Sequence, residues 1–333
     1  MKQIIYISLA TTKEIEVWKL HDDFSLTLLQ KISLPGEPQP ILILKSKKLL
    51  YVGLRPNFGI YSYTIQSNGT LKEQSSAILP GSPNHFEIDI TEKFLFSSSY
   101  HFNCISVTPI DFSGNPQPFI QVINNIHGCH ASKINDQNNT LFVSSLHKNR
   151  IYIFDFIKKG ILLTNKYNFV ITHANFGPRN LEFYKHKNWL FSINELNGSI
   201  DIWFFNQQKK TIELMKNINI LSDKNTKKAW SSDLSLSSCK KYLYASDRTE
   251  NTISIIKINK DIKKVKKINT VKTELKQPRT FHINSTGENL FIIGEKSHNF
   301  SIYKISQATG CLELKNTQST IGLRPVWISS IIL

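Results

Sequence analysis

The chain has 333 residues, 40% of them hydrophobic and 20% charged, with a mean hydropathy of −0.23, which excludes a disordered chain and allows a large core. No stretch approaches the roughly 18 apolar residues of a membrane-spanning helix. The formal charge of +16 invites a nucleic-acid partner, but the excess is Lys scattered among Asn and Ile, residues with AT-rich codons. Arg occurs only at positions 55, 150, 179, 248, 279 and 324. A solvated Lys-rich surface is expected, with no nucleic acid and no membrane as partner.

Taken in chain order, the opening resembles a leader peptide only superficially. Its apolar run is short and is followed at once by Lys13, Glu14 and Glu16, so 3–9 is expected as a strand. Strands at 14–20 and 26–34 follow. Together they read as the second, third and fourth strands of a module that lacks its first. From there a module of roughly 45–50 residues recurs. Its heads are Pro38, Pro83, Cys129, Pro178, Ser231 and Pro278, each 12 residues before Leu50, Leu95, Leu141, Leu190, Leu243 and Leu290. Third strands of alternating character are expected at 59–65, 104–110, 151–156, 200–205, 253–258 and 300–305. Turn chemistry such as Asp136-Gln137-Asn138-Asn139 and Ser285-Thr286-Gly287 precedes the second strands. At the far end Gly322-Leu323-Arg324-Pro325 is one more head, and 326–333 is an inner strand without successors. Joined to the N-terminal strands, it completes a seventh blade. The expected fold is all-β, a single domain over 1–333: a seven-bladed β-propeller of four-stranded antiparallel blades, closed by the C-terminal strand.

In such a ring the first strand of each blade lines a central channel, and chemistry belongs at its mouth. The residues just after the heads are Gln39, Asn84, His130, Arg179, Ser232 and Arg279, with Val326 in the closing blade. A second set lies five residues after each registering Leu, at the second strand's exit: Arg55, Tyr100, Leu146, Glu195, Arg248 and Glu295. Five of the six Arg residues thus sit at heads or exits. Bidentate recognition of phosphate or carboxylate explains why Lys does not replace them; the alternative is that they tie blades together through backbone carbonyls. Arg55, Arg248 and Asn84 are accordingly candidates for binding substrate or phosphate. His130, three residues after His127, suits a base or donor better than a metal ligand, because no acidic ligand set accompanies it. Glu195, beside the Asn197-Gly198 turn, would share a blade and a rim with Arg179. Cys104, Cys129, Cys239 and Cys311 form no CxxC pair or framework and read as reduced thiols of a cytoplasmic chain.

These residues resemble the propeller 6-phosphogluconolactonases of enteric bacteria, part of a wider lactonase family that includes fungal muconate-lactonizing enzymes. The likeness runs through Tyr51-Val52-Gly53-Leu54-Arg55-Pro56, Leu79-Pro80-Gly81-Ser82-Pro83, Gly128-Cys129-His130, Gly177-Pro178-Arg179, Asn194-Glu195-Leu196-Asn197, Asp247-Arg248-Thr249, Gln277-Pro278-Arg279, Lys296-Ser297-His298 and Pro325-Val326-Trp327. It departs at Asn180, where relatives often carry His, and at Thr280, where Gly is common. The resemblance implies hydrolysis of 6-phospho-D-glucono-1,5-lactone to 6-phosphogluconate, in the oxidative pentose phosphate pathway, by a cluster of His130, Arg179, Glu195 and Arg279. A monomer is expected, without metal, and the hydrolysis needs no cofactor. Glu195 or His130 would take the proton of the attacking water, and the Arg residues would divide phosphate and oxyanion between them. No G-x-S-x-G elbow occurs, which disfavours a serine nucleophile. A muconate-type cycloisomerase and a non-catalytic interaction propeller are the rival readings.

Overall fold

The computed structural model describes residues 2–222 and 228–333. Among them, 28 strands form seven four-stranded antiparallel sheets, with three short 3-10 turns and no α-helix. A representative blade runs outward through Pro178–Tyr184, Trp189–Asn194, Ser199–Asn206 and Thr211–Asn219. The innermost strands touch in sequence around the ring.

Burial explains the sequence pattern of each position in a blade. Second strands such as Thr140–Ser145, Trp189–Asn194 and Tyr242–Asp247 are buried at every residue, because neighbouring blades cover both faces. They therefore lack a clean apolar–polar alternation. Outer strands such as Leu26–Ser33 and Leu71–Ile78 are half open to water and carry the Lys, Glu and Gln side chains. The apolar core divides into seven clusters, each spanning two adjacent blades.

The ring closes as expected. Gln3–Leu9 pairs with Glu14–Leu20 on one side and with Pro325–Ile332 on the other, placing Ile4 opposite Ile331 and Tyr6 opposite Ser329. Lys2 and Leu333 exchange two further backbone bonds of 3.0 and 2.9 Å. The final interface packs Ile5, Ile7 and Ile328 against Phe291, Phe300 and Ile302. The six expected third strands and the terminal strands lie within one residue of their expected bounds. The third blade differs at its edge: its fourth strand is only Gln121–Ile123, because Pro116 and Pro118 cannot donate to a ladder.

A repeated latch joins neighbouring blades. Tyr6, Tyr51 and Tyr244 stand at one position of their second strands, the residue after the registering Leu in the two later blades. Their hydroxyls donate to the carbonyls of Gly69, Gly114 and Gly310 at 2.9, 2.7 and 2.9 Å. All three rings are fully buried. The other four blades carry Phe96, Phe142, Phe191 and Phe291 at this position.

Candidate active site

Five of the innermost strands begin with a bulge. In the fifth blade Pro178 faces Asn194 while Leu181 faces Ser192, so Arg179 and Asn180 lie against a single residue of the partner strand. The same shift recurs between Pro38 and Ile41, Cys129 and Ser132, Ser231 and Leu234, and Pro278 and Phe281. In the closing blade it falls at Val326, near the start of the innermost strand. A bulge leaves the ladder and re-aims a side chain, which gives the position after each head its functional meaning. The approach is set by left-handed backbone: Gly128 and Gly177 precede their heads at φ 68° and 65°, and a Cβ at 177 would meet Leu196 at 2.8 Å.

At the channel mouth one cavity of about 220 Å³ gathers these positions. Asn84, His130, Arg179 and Arg279 reach it from the heads, and Arg55, Tyr100, Glu195 and Arg248 from the second-strand exits, joined by His101, Trp230 and Arg324. All seven residues expected from the sequence thus line one site. Gln39 and Ser232 hold the same bulge position yet stay outside the lining.

Glu195 is the hub. Its Oε2 lies 2.8 Å from Arg248 Nη2 and 2.9 Å from Arg179 Nε, an ion pair whose N–H is poorly aligned for a hydrogen bond. Oε1 has no partner among the described residues. Arg248 also donates to the carbonyls of Trp230 (3.2 Å) and Ser231 (3.4 Å) and stacks on the Trp230 ring at 3.9 Å. Arg179 Nη1 donates to the Ser232 carbonyl, and Arg55 donates to the Pro83 carbonyl and, at 3.1 Å, to Asn84 Oδ1. Asn84 in turn donates to the His130 carbonyl at 2.9 Å. The two readings of the Arg residues therefore combine: one edge of the fork ties blades together while other N–H groups remain. A second hub, Glu295, accepts from Arg279 Nη1 and Arg324 Nε, both at 3.1 Å. Five guanidinium groups against two carboxylates leave the site positive.

This field shapes the remaining groups. Burial foremost, then the charges of Arg179 and Arg279, holds His130 well below the usual histidine range, so its ring is neutral at pH 7. Its Nδ1 is buried without a partner among the described residues. His101 is likewise lowered, by burial and then by Arg55. Burial brings Arg55 down to about 10 and Arg248 to about 9, both still cationic at neutral pH. Glu295 feels burial most, but its ion pairs with Arg279 and Arg324 outweigh it and leave the carboxyl lowered. Tyr100 is raised by burial and by Glu195, and its hydroxyl lies 2.7 Å from His147 Nε2.

The departures at 180 and 280 are structural. Asn180 Nδ2 donates to Asp233 Oδ1, and Thr280 Oγ1 to the Val326 carbonyl at 3.2 Å, so both join adjacent blades. Reading the positions after the heads and at the exits misses Trp230, just before the head Ser231, and His101, just after the exit residue Tyr100, while Arg324 counts among the Arg residues at heads without standing among the expected site residues. The repeat register itself was the signal that could have found them. Among the described residues no group of three or more His, Cys, Asp or Glu side chains is placed to hold a metal.

The family model for lactonases with a seven-bladed β-propeller matches residues 4–329. A curated 6-phosphogluconolactonase of Buchnera aphidicola subsp. Baizongia pistaciae is 62% identical over the whole length of both chains. One of Erwinia tasmaniensis is 35% identical over 98% of each. Among solved structures, the periplasmic gluconolactonase of Pseudomonas aeruginosa superposes with a TM-score of 0.90 at 16% identity, over 100% of this chain and 99% of that one. A protein from Lactobacillus plantarum does so at 0.90 and 20%, over 100% of both. A ring of seven blades, a family match over nearly its full length and full-length relatives above 30% identity lead to one conclusion: the chain belongs to the seven-bladed β-propeller lactonase family.

Proposed function

We propose that the chain is a 6-phosphogluconolactonase, hydrolysing 6-phospho-D-glucono-1,5-lactone to 6-phosphogluconate in the cytoplasm, as a monomer without cofactor. One observation carries this reading: Glu195 has one oxygen held by two guanidinium groups and the other free, inside a positive cavity beside a neutral imidazole. Glu195 Oε1 removes a proton as water attacks C1 of the lactone. Arg179 and Arg279 turn their remaining N–H groups to the oxyanion that forms on the carbonyl oxygen, where fixed donors act most strongly. The tetrahedral intermediate collapses by breaking the bond from C1 to the ring oxygen, and protonated Glu195 returns its proton to that oxygen. His130, neutral at working pH, hydrogen-bonds the attacking water rather than serving as the base, since its basicity is suppressed. Arg248 is a positioning residue, holding Glu195 from the sandwich of Trp230 and the carboxylate, instead of the substrate or phosphate ligand expected from the register. Arg55 and Asn84 face the sugar hydroxyls.

Converging charged groups at one mouth favour an enzyme over an interaction propeller, and the names of the full-length relatives favour hydrolysis over cycloisomerisation. Four free thiols fit a reducing compartment. The test is hydrolysis of freshly generated phospholactone by the purified protein, followed against spontaneous opening, with cis,cis-muconate in parallel. Acceleration of the first alone is expected. A rate equal to the background, or turnover of muconate instead, overturns the assignment.

A further inference from the structure

We infer that Arg324 and Lys296 form a separate subsite for the substrate's 6-phosphate, making Arg324 the residue that distinguishes a phosphorylated from a free sugar lactone. The inference rests on the lactonase reading above and assigns what that reading leaves open. A second cavity, of about 350 Å³, adjoins the catalytic one and is lined by Thr11, Gln277, Glu295, Lys296, His298 and Arg324. Arg324 lines both. In the lactone the phosphate hangs from the exocyclic carbon, across the ring oxygen from C1, so its anchor must lie beside the catalytic hub and not at it.

Accessibility selects the residue. A phosphate needs N–H groups that water can leave, and the side chains of Arg179 and Arg248 are only 5% and 4% exposed, both committed to Glu195. Arg324 is 44% exposed. Its Nε is aligned by Glu295 at 3.1 Å, and its two Nη groups have no partner among the described residues. The carboxylate it leans on is shared with Arg279, so the fork is fixed without neutralising the pair. Exposed Lys296 adds a mobile charge to the same cavity, as a point cation complements a fixed planar fork. The backbone points the same way. Arg324 has φ 62° and Gln277 φ 57°, at the place before the head where two other blades use glycine. Both side chains open onto this cavity, and Arg324 is further pinned by its N–H donating to His298 Nδ1 at 2.9 Å. Side chains held at left-handed positions where glycine would cost less are a mark of functional sites.

The experiment compares the parent with Arg324→Gln, Arg324→Lys and Lys296→Gln. Steady-state kinetics are measured on the phospholactone and on unphosphorylated D-glucono-1,5-lactone, and binding of 6-phosphogluconate and of inorganic phosphate by calorimetry. Arg324→Gln is expected to raise KM for the phospholactone about tenfold or more, with kcat within about threefold, because the phosphate is held equally in ground and transition states. The preference for the phosphorylated lactone should fall by a similar factor, with Arg324→Lys restoring part of it. Lys296→Gln should act in the same direction, more weakly. Equal losses on both lactones would assign Arg324 a structural role through Glu295, and an unchanged KM would remove it from the substrate; either overturns the subsite. Calorimetry separates this from the activity: if the parent hydrolyses neither lactone, the subsite still stands where Arg324→Gln weakens 6-phosphogluconate binding about tenfold, and falls where it does not.

Discussion

At the scale of the residue, the site is organised by pairing. Glu195 is presented by two Arg residues from two blades, and the same pairing that fixes its position leaves one oxygen free for water. Glu195→Gln preserves the shape and an acceptor for Arg248 while removing the base. Its kcat on the phospholactone should fall on the order of a hundredfold or more, with circular dichroism and melting near those of the parent. His130→Asn should cost much less, and the reverse ranking would make His130 the base. Arg179→Lys and Arg279→Lys keep the charge but lose the planar fork. If both face the developing oxyanion, kcat should fall with KM little changed; a rise in KM alone would move that Arg to ground-state binding.

At the scale of the element, each blade is a ladder whose ends are decided by its neighbours. The bulge after the head frees a side chain for the channel mouth, and the blades are fastened by polar bonds set between apolar clusters. Lys133 lies 3.5 Å from Glu87 and 3.7 Å from Glu182, bridging three successive blades along the channel. The Tyr latch offers a cleaner measurement, because Phe already fills this position in four blades. Tyr51→Phe should retain the packing and leave the Gly114 carbonyl unpaired, a loss of about 1 kcal/mol. In a chain of this length that lowers Tm by roughly 1–2 °C, without effect on catalysis. A drop several times larger, seen by calorimetry, would mean that the hydroxyl holds more than this one bond.

At the scale of the molecule, two properties belong to the ring as a whole. The first is closure. Deleting Pro325–Ile332 removes the innermost strand of one blade, opens the edge of Gln3–Leu9 and uncovers the channel, so the truncated chain should be insoluble or lose cooperative unfolding. A soluble truncation that melts like the parent would contradict the pairing as the source of closure. The second is acid lability. Burial foremost holds His85 down to about 3 and His282 to about 4, and His130 is held low too. Because these pKa values are depressed in the fold, the unfolded chain binds more protons as pH drops below about 6.5. Stability is therefore full above that pH and declines below it. Asp233, pushed up to about 6 by burial, works against this as pH falls, as do Glu87 and Asp201, which burial also raises, while the lowered His101 adds to the loss. Tm should fall between pH 7 and pH 5, and His282→Asn should flatten the fall; a flat profile in the parent would show that the channel histidines are solvated.

The architecture is legible in the sequence, because the repeat returns seven times with its heads and strands at one spacing. Spacing alone aligns Pro178 with Pro278 and shows that the last strand belongs to the first blade. It also determined the positions that reach the mouth, Arg179 and Glu195 among them, since one bulge recurs in one register. Which of these groups meet is a matter of three-dimensional packing. Arg248 and Arg179 share one oxygen of Glu195 although 53 residues separate Arg248 from that carboxylate, and Arg279 and Arg324 share Glu295 across the seam of the ring. Such pairings depend on the angle between blades and on distances of a few ångströms, which linear spacing does not encode. That Trp230 stacks on Arg248 and that Arg324 reaches Glu295 is decided in the same way, by how the neighbouring blades meet at the rim.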